Sequence, residues 1–211
     1  MDTDKKVGTN IKNKHLVTRK RKQIIDGAIK TFVSNGFHKS TVKDIADTAG
    51  LSMGTLYNYI DTKEDILYLV YDYMTNILTE EMEQAMSGIV DPKERLKAAL
   101  KQNVNTIYKH QEIVKFLYRE SASHDRSTLH TVLSRETTYI KLFECLLRNC
   151  LNEEHIDEDR LKLAADILAY APVMLPLRNW SLKRRFASME NAKNLFIEHL
   201  NNEVEFTLKE I

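Results

Sequence analysis

Thr41-Val42-Lys43-Asp44-Ile45-Ala46-Asp47-Thr48-Ala49-Gly50-Leu51-Ser52-Met53-Gly54-Thr55-Leu56-Tyr57-Asn58-Tyr59-Ile60-Asp61-Thr62-Lys63 is the stretch whose reading decides the fold. Thr41 with Asp44 three residues on has the form of a capping box, in which hydroxyl and carboxylate satisfy each other's backbone amides at a helix start. Ile45, Ala46 and Ala49 then make a narrow apolar strip, and Gly50 stands where a helix end needs a left-handed residue. A second short helix is expected over residues 53–60. Leu56 and Ile60 should face inward, and Ser52, Thr55, Tyr57, Asn58 and Tyr59 outward. Two short helices joined by a tight glycine turn form a helix-turn-helix, whose second helix can enter the major groove of duplex DNA.

Outward from this core, Arg19-Lys20-Arg21-Lys22 opens an upstream helix with Thr18 as its expected N-cap. Its apolar face is Ile25, Ala28, Ile29, Phe32 and Val33, and Asn35-Gly36 ends it. Residues 1–17 lack helical periodicity and are expected to form a flexible basic arm. Downstream, Thr62-Lys63-Glu64-Asp65 is a second capping box and launches a long helix carrying Ile66, Leu67, Val70, Met74, Ile77, Leu78 and Met82. Beyond Gly88 the pattern is helix after helix, with starts at Asp91-Pro92 and Asp157-Glu158-Asp159. The expected fold is all-α, with a helix-turn-helix domain over residues 18–63 and a helical ligand-binding and dimerisation domain over residues 64–211.

Composition agrees. Only 3 prolines and 6 glycines punctuate 211 residues, which favours long helices. The net charge of +1 hides an asymmetry: residues 1–63 carry 12 Lys and Arg against 6 Asp and no Glu, so the rest of the chain is net acidic. A basic N-terminal third is what a phosphate-binding module needs, although a basic tail without a partner would look the same. Cys145 and Cys150 match no zinc or disulfide pattern and read as buried thiols in a reducing cytosol. The N-terminus holds no export-type apolar segment. The longest apolar stretch, 161–177, is broken by Asp166, Pro172 and Pro176, so a cytoplasmic chain without a membrane partner is expected.

The stretches 41–46, 49–60 and 62–67, with Ile24, Ile25, Ala28, Phe32, Gly36 and Phe37 upstream, resemble the DNA-binding signature of the tetracycline-repressor (TetR) family. Ile60 stands where that family usually has Phe, an apolar exchange that alters packing detail only. The resemblance implies an all-helical homodimer with a divergent ligand-binding domain. It implies that Thr41 meets phosphate at a helix start, that Thr55, Tyr57, Asn58 and Tyr59 are recognition-helix contacts, and that Lys63 lies beside the DNA backbone. Lys43 and Ser52 join them as DNA-facing candidates. Each has a plainer reading too: Tyr57 or Tyr59 could cap the small domain's core, Lys63 could be a solvated charge, and capping alone explains Thr41.

Other constellations are weaker. Glu120, His124 and His130 invite a metal reading but lack a third well-spaced ligand, so no metal is expected. No nucleophile elbow, phosphate loop or paired carboxylate is present, so neither an enzyme nor a cofactor is expected. Residues 172–185 combine Trp180 with Arg178, Lys183, Arg184 and Arg185, which would suit an anionic ligand with an apolar tail such as an acyl-coenzyme A. Phe116, Tyr139, Phe143, Met174, Arg178 and Trp180 are the candidate ligand contacts, with an interface tryptophan as the alternative. A lipophilic cation would instead use Asp166. The expected protein is a ligand-responsive repressor of a near-palindromic operator, dimeric through its last two helices with Phe196 central. Its rival is a helical scaffold that binds no DNA.

Overall fold

The computed structural model describes residues 7–9, 11–121, 126–151 and 156–211; of 121, 126–135 and 210 it describes the backbone only. The helices are α1 (Lys14–Asn35), α2 (Val42–Ala49), α3 (Met53–Tyr57), α4 (Lys63–Met86), α5 (Pro92–Lys109), α6 (Gln111–Ser121), α7 (Arg126–Arg148), α8 (Glu158–Tyr170), α9 (Met174–Arg185) and α10 (Met189–Glu210). A 3-10 turn, Ala171–Val173, separates α8 from α9, and no strand occurs among the described residues. The chain forms two compact units. The first holds Met1–Thr75 and Phe116–Arg135, and the second Asn76–Lys115 and Glu136–Ile211.

In the first unit, α1 begins at Lys14, earlier than the sequence pattern placed it. Asn13 is the cap, its Oδ1 accepting from the Leu16 amide at 3.2 Å. Thr18 lies inside the helix and donates to the Lys14 carbonyl at 3.1 Å. Asn caps as well as Thr, and nothing between Lys14 and Thr18 breaks a helix. Residues 7–9 also depart from the expected flexible arm: Val7 is buried, and its carbonyl is held by Arg21 at 2.6 Å.

Helices α1 and α2 cross where a side chain is missing. A Cβ on Gly27 would lie 2.8 Å from the Ala49 Cβ, so only glycine permits this approach. Beside the crossing, Gln23 Nε2 donates to the Ala49 carbonyl at 2.6 Å and satisfies the end of α2. Gly50 then reverses the chain at φ 64, ψ 37, the expected left-handed cap, and Leu51 N closes onto Ala46 O at 2.9 Å. The core of the unit comprises Ile24, Ala28, Phe32, Ile45, Leu56, Ile60, Ile66 and Leu67, all essentially without exposure. Burying each such side chain stabilises by about 1.5–3 kcal/mol. The end of α6 belongs to the same unit. Phe116 stacks on Phe32, and Tyr71 donates through its hydroxyl to the Leu117 carbonyl at 2.8 Å.

In the second unit, Leu96, Ala99, Leu100, Val104 and Ile107 of α5 form the centre, with Leu161, Ala165 and Leu168 of α8 and Leu200 and Val204 of α10. Lys93 and Lys97 both reach Glu205, at 3.2 and 3.4 Å, tying α5 to α10. The apolar run 161–177 is two helices and a turn. Pro172 has no amide to continue α8, and the chain passes through a 3-10 turn before α9 resumes. Cys145 is exposed on α7 and Cys150 half-buried in the turn that follows it, correcting the expectation of two buried thiols: α7 ends at Arg148, before the helical pattern carries Cys150 to an inner face. Among the described residues no helix is long and apolar enough to cross a membrane.

Candidate DNA-reading site

The site grows from two caps and one turn. Thr41 Oγ1 accepts from the Asp44 amide at 3.1 Å, and Asp44 Oδ2 accepts from the Thr41 amide at 2.9 Å, completing the capping box read from sequence. The Thr41 hydroxyl also lies 2.8 Å from that carboxylate, and these bonds hold the Asp44 carboxyl below its ordinary range. Ser52 Oγ caps α3 by accepting from the Thr55 amide at 3.2 Å, and lies 2.8 Å from Thr55 Oγ1. Leu56, wholly buried, is the peg that fixes the rotation of α3. With Leu56 inward, Ser52, Met53, Gly54, Tyr57 and Asn58 are exposed and Thr55 is half-buried; Thr41 and Lys43 are exposed at the start of α2. These side chains offer hydroxyls, an amide and an ammonium to solvent, the groups that hydrogen-bond base edges and phosphates.

The two tyrosines separate. Tyr57 is 46% exposed and Tyr59 only 4%, so Tyr59 is corrected from the outward set to the core. The expectation extended helical geometry to Ile60, whereas α3 ends at Tyr57 and the following turn swings position 59 inward. Lys63 has partners within the protein that the sequence did not show. Its Nζ donates to the carbonyls of Phe37 and Ser40, each at 3.1 Å, and sits 4.3 Å from the Phe37 ring centroid. The ammonium expected beside DNA thus holds the loop that delivers Thr41 to the start of α2. Carbonyls in a half-buried loop leave no sequence signal that would have shown this. Asp65 is buried and accepts from the Asp61 and Thr62 amides at 3.1 and 2.9 Å, so the second capping box stands as read.

The proposed ligand contacts divide between the two units and, within the second, between core and surface. Phe116 is buried against Phe32 in the first unit. Tyr139 and Phe143 are buried edge to face in the second, with centroids 5.5 Å apart. The Tyr139 hydroxyl donates to Asn103 Oδ1 at 2.7 Å and lies 3.2 Å from the Ala169 carbonyl; burial raises its pKa. Met174, Arg178 and Trp180 lie on the exposed side of α9, Trp180 at 68% exposure with the Arg178 guanidinium 5.9 Å from its ring. The buried residues of α9 are Leu175, Pro176, Asn179 and Leu182. Asp166 is exposed as well, correcting its inward assignment. Glu120 is buried, with Arg119 Nε at 3.6 Å and His38 Nε2 at 4.0 Å. His124 lies outside the described residues and so does the His130 side chain; among the described residues no group of three metal-ligating side chains occurs.

A capped, glycine-turned helix pair with a polar outer edge, seated on α1, defines a helix-turn-helix regulator. Residues 24–68 match the model of the bacterial regulatory proteins, tetR family. The chain is 25% identical over 191 residues to the transcriptional regulator HbdR of Aromatoleum sp. (strain CIB), covering 90% of this chain and 83% of that one. It is 34% identical over 85 residues to the fatty acid metabolism regulator protein of Bacillus subtilis, covering 40% and 44%. Its fold resembles FadR from Bacillus subtilis in complex with stearoyl-CoA at TM-score 0.68 and 21% identity, covering 84% of this chain and 95% of that one.

Proposed function

We propose that the protein is a homodimeric repressor without catalytic activity, and that a fatty acyl-coenzyme A thioester releases it from a near-palindromic operator. The observation that carries the DNA-binding part is α3 itself: its inner residue Leu56 is locked, while Tyr57 and Asn58 face solvent beside capped Ser52 and Thr55. Two such helices in one dimer would enter successive major grooves about one turn apart or somewhat more. The dimer surface is drawn from α8 and α9, where Leu163, Ile167, Met174, Leu177 and Trp180 are exposed; α9 with α10, where Phe196 is half-buried and Leu195 and Phe206 are exposed, is the alternative. Such an apolar set suits a permanent interface of more than about 1,200 Å².

The effector class rests on the relatives, one named as a fatty acid metabolism regulator and one solved with stearoyl-CoA. In this chain Tyr139 and Phe143 remain as candidate contacts for the acyl part, whereas Arg178 and Trp180 go to the dimer surface. Helices α4, α6 and α7 contribute residues to both units, so effector binding in the second unit has three covalent routes to the first. A lipophilic cation is the second reading, favoured by half-buried Glu136 hydrogen-bonded to Tyr170, whose ring stands 6.0 Å from that of Tyr139. A titration of the DNA-bound protein separates them. Acyl-CoA thioesters of graded chain length should release the DNA at micromolar concentration; release by lipophilic cations alone would replace the thioester with the cation.

A further inference from the structure

Residues 7–9 and 11–14 link the end of α3 to the start of α1 through specific bonds. The Arg21 guanidinium, on α1, shares its Nη2 among the carbonyls of Val7 at 2.6 Å, Gly8 at 2.9 Å and Tyr59 at 3.3 Å. The Thr9 hydroxyl donates to the Asn58 carbonyl at 2.9 Å and accepts from the Ile11 amide at 3.2 Å. Asn58 is the residue that ends α3, so the strap is fastened to the helix-turn-helix at its solvent-facing edge. Val7 is buried beneath it, and Asn13 hands the chain on to α1. Burial disfavours the Arg21 charge, and the charges of Asp65 and Asp72 offset part of that. A guanidinium so placed needs the strap carbonyls as much as the strap needs it.

The strap carries cations that no described residue neutralises. Lys12 and Lys14 are exposed, as is Arg19 one turn further along α1, and among the described residues none of the three has an acidic partner. Lys20 and Lys22, by contrast, are bound to Gln23 and Asp26. We infer that this strap is a second DNA-contacting element: Lys12 and Lys14 bind phosphates flanking the groove that Tyr57 and Asn58 face, and Arg21 with Thr9 are the positioning residues that hold them there. The inference rests on the DNA-binding reading of α3. Fastening matters because cations on an ordered strap lose less conformational freedom on binding than cations on a free arm. Phosphate contacts of this kind set affinity and register without reading sequence.

The test needs no known operator. The full chain is titrated against a mixed-sequence 30-base-pair duplex at several salt concentrations, and the slope of log K against log salt is measured. For the double variant Lys12→Gln, Lys14→Gln the slope should shrink by about two units for each protomer engaged, and so by about 3.6 for a dimer bound through both straps, at about 0.9 unit per phosphate contact. The control Lys162→Gln, Lys209→Gln removes the same charge from the second unit and should leave the slope unchanged. Thr9→Val removes the bond to Asn58 with no change of charge or buried cation. It should weaken binding several-fold and speed amide exchange at Ile11, where Arg21→Met would also disturb folding. A wild-type slope in the strap double variant overturns the inference while leaving α3 as a DNA-binding element. Equal loss in the control assigns the effect to net charge and overturns it too. Wild-type affinity and exchange in Thr9→Val refutes the positioning role. Absence of salt-dependent binding by the wild-type chain overturns both the strap and the reading on which it rests.

Discussion

Phe116 of α6 lies against Phe32 of α1 with ring centroids 5.3 Å apart and planes 16° from parallel. Eighty-three residues of chain separate the two, yet both rings are buried in the unit that carries the helix-turn-helix, and Phe37 meets Phe32 edge-on from the loop before α2. Phe116→Ala should therefore destabilise the protein by about 3–5 kcal/mol and weaken DNA binding with it. A residue lining an effector cavity would instead change release by effector at constant stability. Urea unfolding and DNA titration on the same variant distinguish the two.

Gly27 allows α1 to touch α2 at Ala49, and Gly27→Ala should cost about 1–3 kcal/mol through overpacking. The double variant Gly27→Ala, Ala49→Gly removes one of the opposing methyl groups and should recover part of the loss. A thermal melt of Gly27→Ala that matches wild type would contradict the close approach.

Lys63 and Tyr57 should separate stability from recognition. Lys63→Ala removes two charge-assisted hydrogen bonds to the Phe37 and Ser40 carbonyls, so it should lower stability by about 2–3 kcal/mol while changing the salt slope by less than about half a unit. Tyr57→Ala takes away an exposed side chain, so it should leave the melt unchanged and weaken DNA binding at least tenfold. A loss of one full unit of salt slope in Lys63→Ala would return this lysine to the DNA backbone.

Burial raises the Glu136 pKa, with the Asp166 charge adding to it and the Tyr170 hydrogen bond opposing it. A carboxyl raised on folding binds its proton more tightly in the native state. Its contribution is therefore most favourable below the unfolded value and is lost as pH rises through the folded one. Glu136→Gln should flatten the stability-versus-pH curve over that window and stabilise the protein at neutral pH. Urea midpoints of both proteins between pH 4 and 8 check the sign; a variant less stable than wild type at neutral pH would contradict it.

Much of the first unit was legible in sequence because its signals are local. Thr41 with Asp44, Thr62 with Asp65, and Gly50 each declare a helix end within four residues, and each stands in the structure as read. What escaped depends on contacts distant in sequence. Arg21 looks like one more cation in a basic run, yet it closes on Tyr59, and Gln23 closes on Ala49. Tyr59 was misplaced because helical periodicity was carried past the end of α3. In the second unit an apolar residue on a helix has two possible fates, core or partner surface, and periodicity alone does not choose. Tyr139 went to the core and Trp180 to the surface.

The central claim is that the outer edge of α3 reads duplex DNA as part of a dimer. The most direct measurement incubates the full chain with sheared genomic DNA from the source organism and sequences the retained fragments, for wild type and Tyr57→Ala in parallel. The account predicts that wild type enriches fragments sharing one near-palindromic element, with half-sites about one helical turn or somewhat more apart, and that Tyr57→Ala, folded and dimeric, loses that enrichment. Retention without a shared element, or the same element recovered equally by Tyr57→Ala, would contradict it.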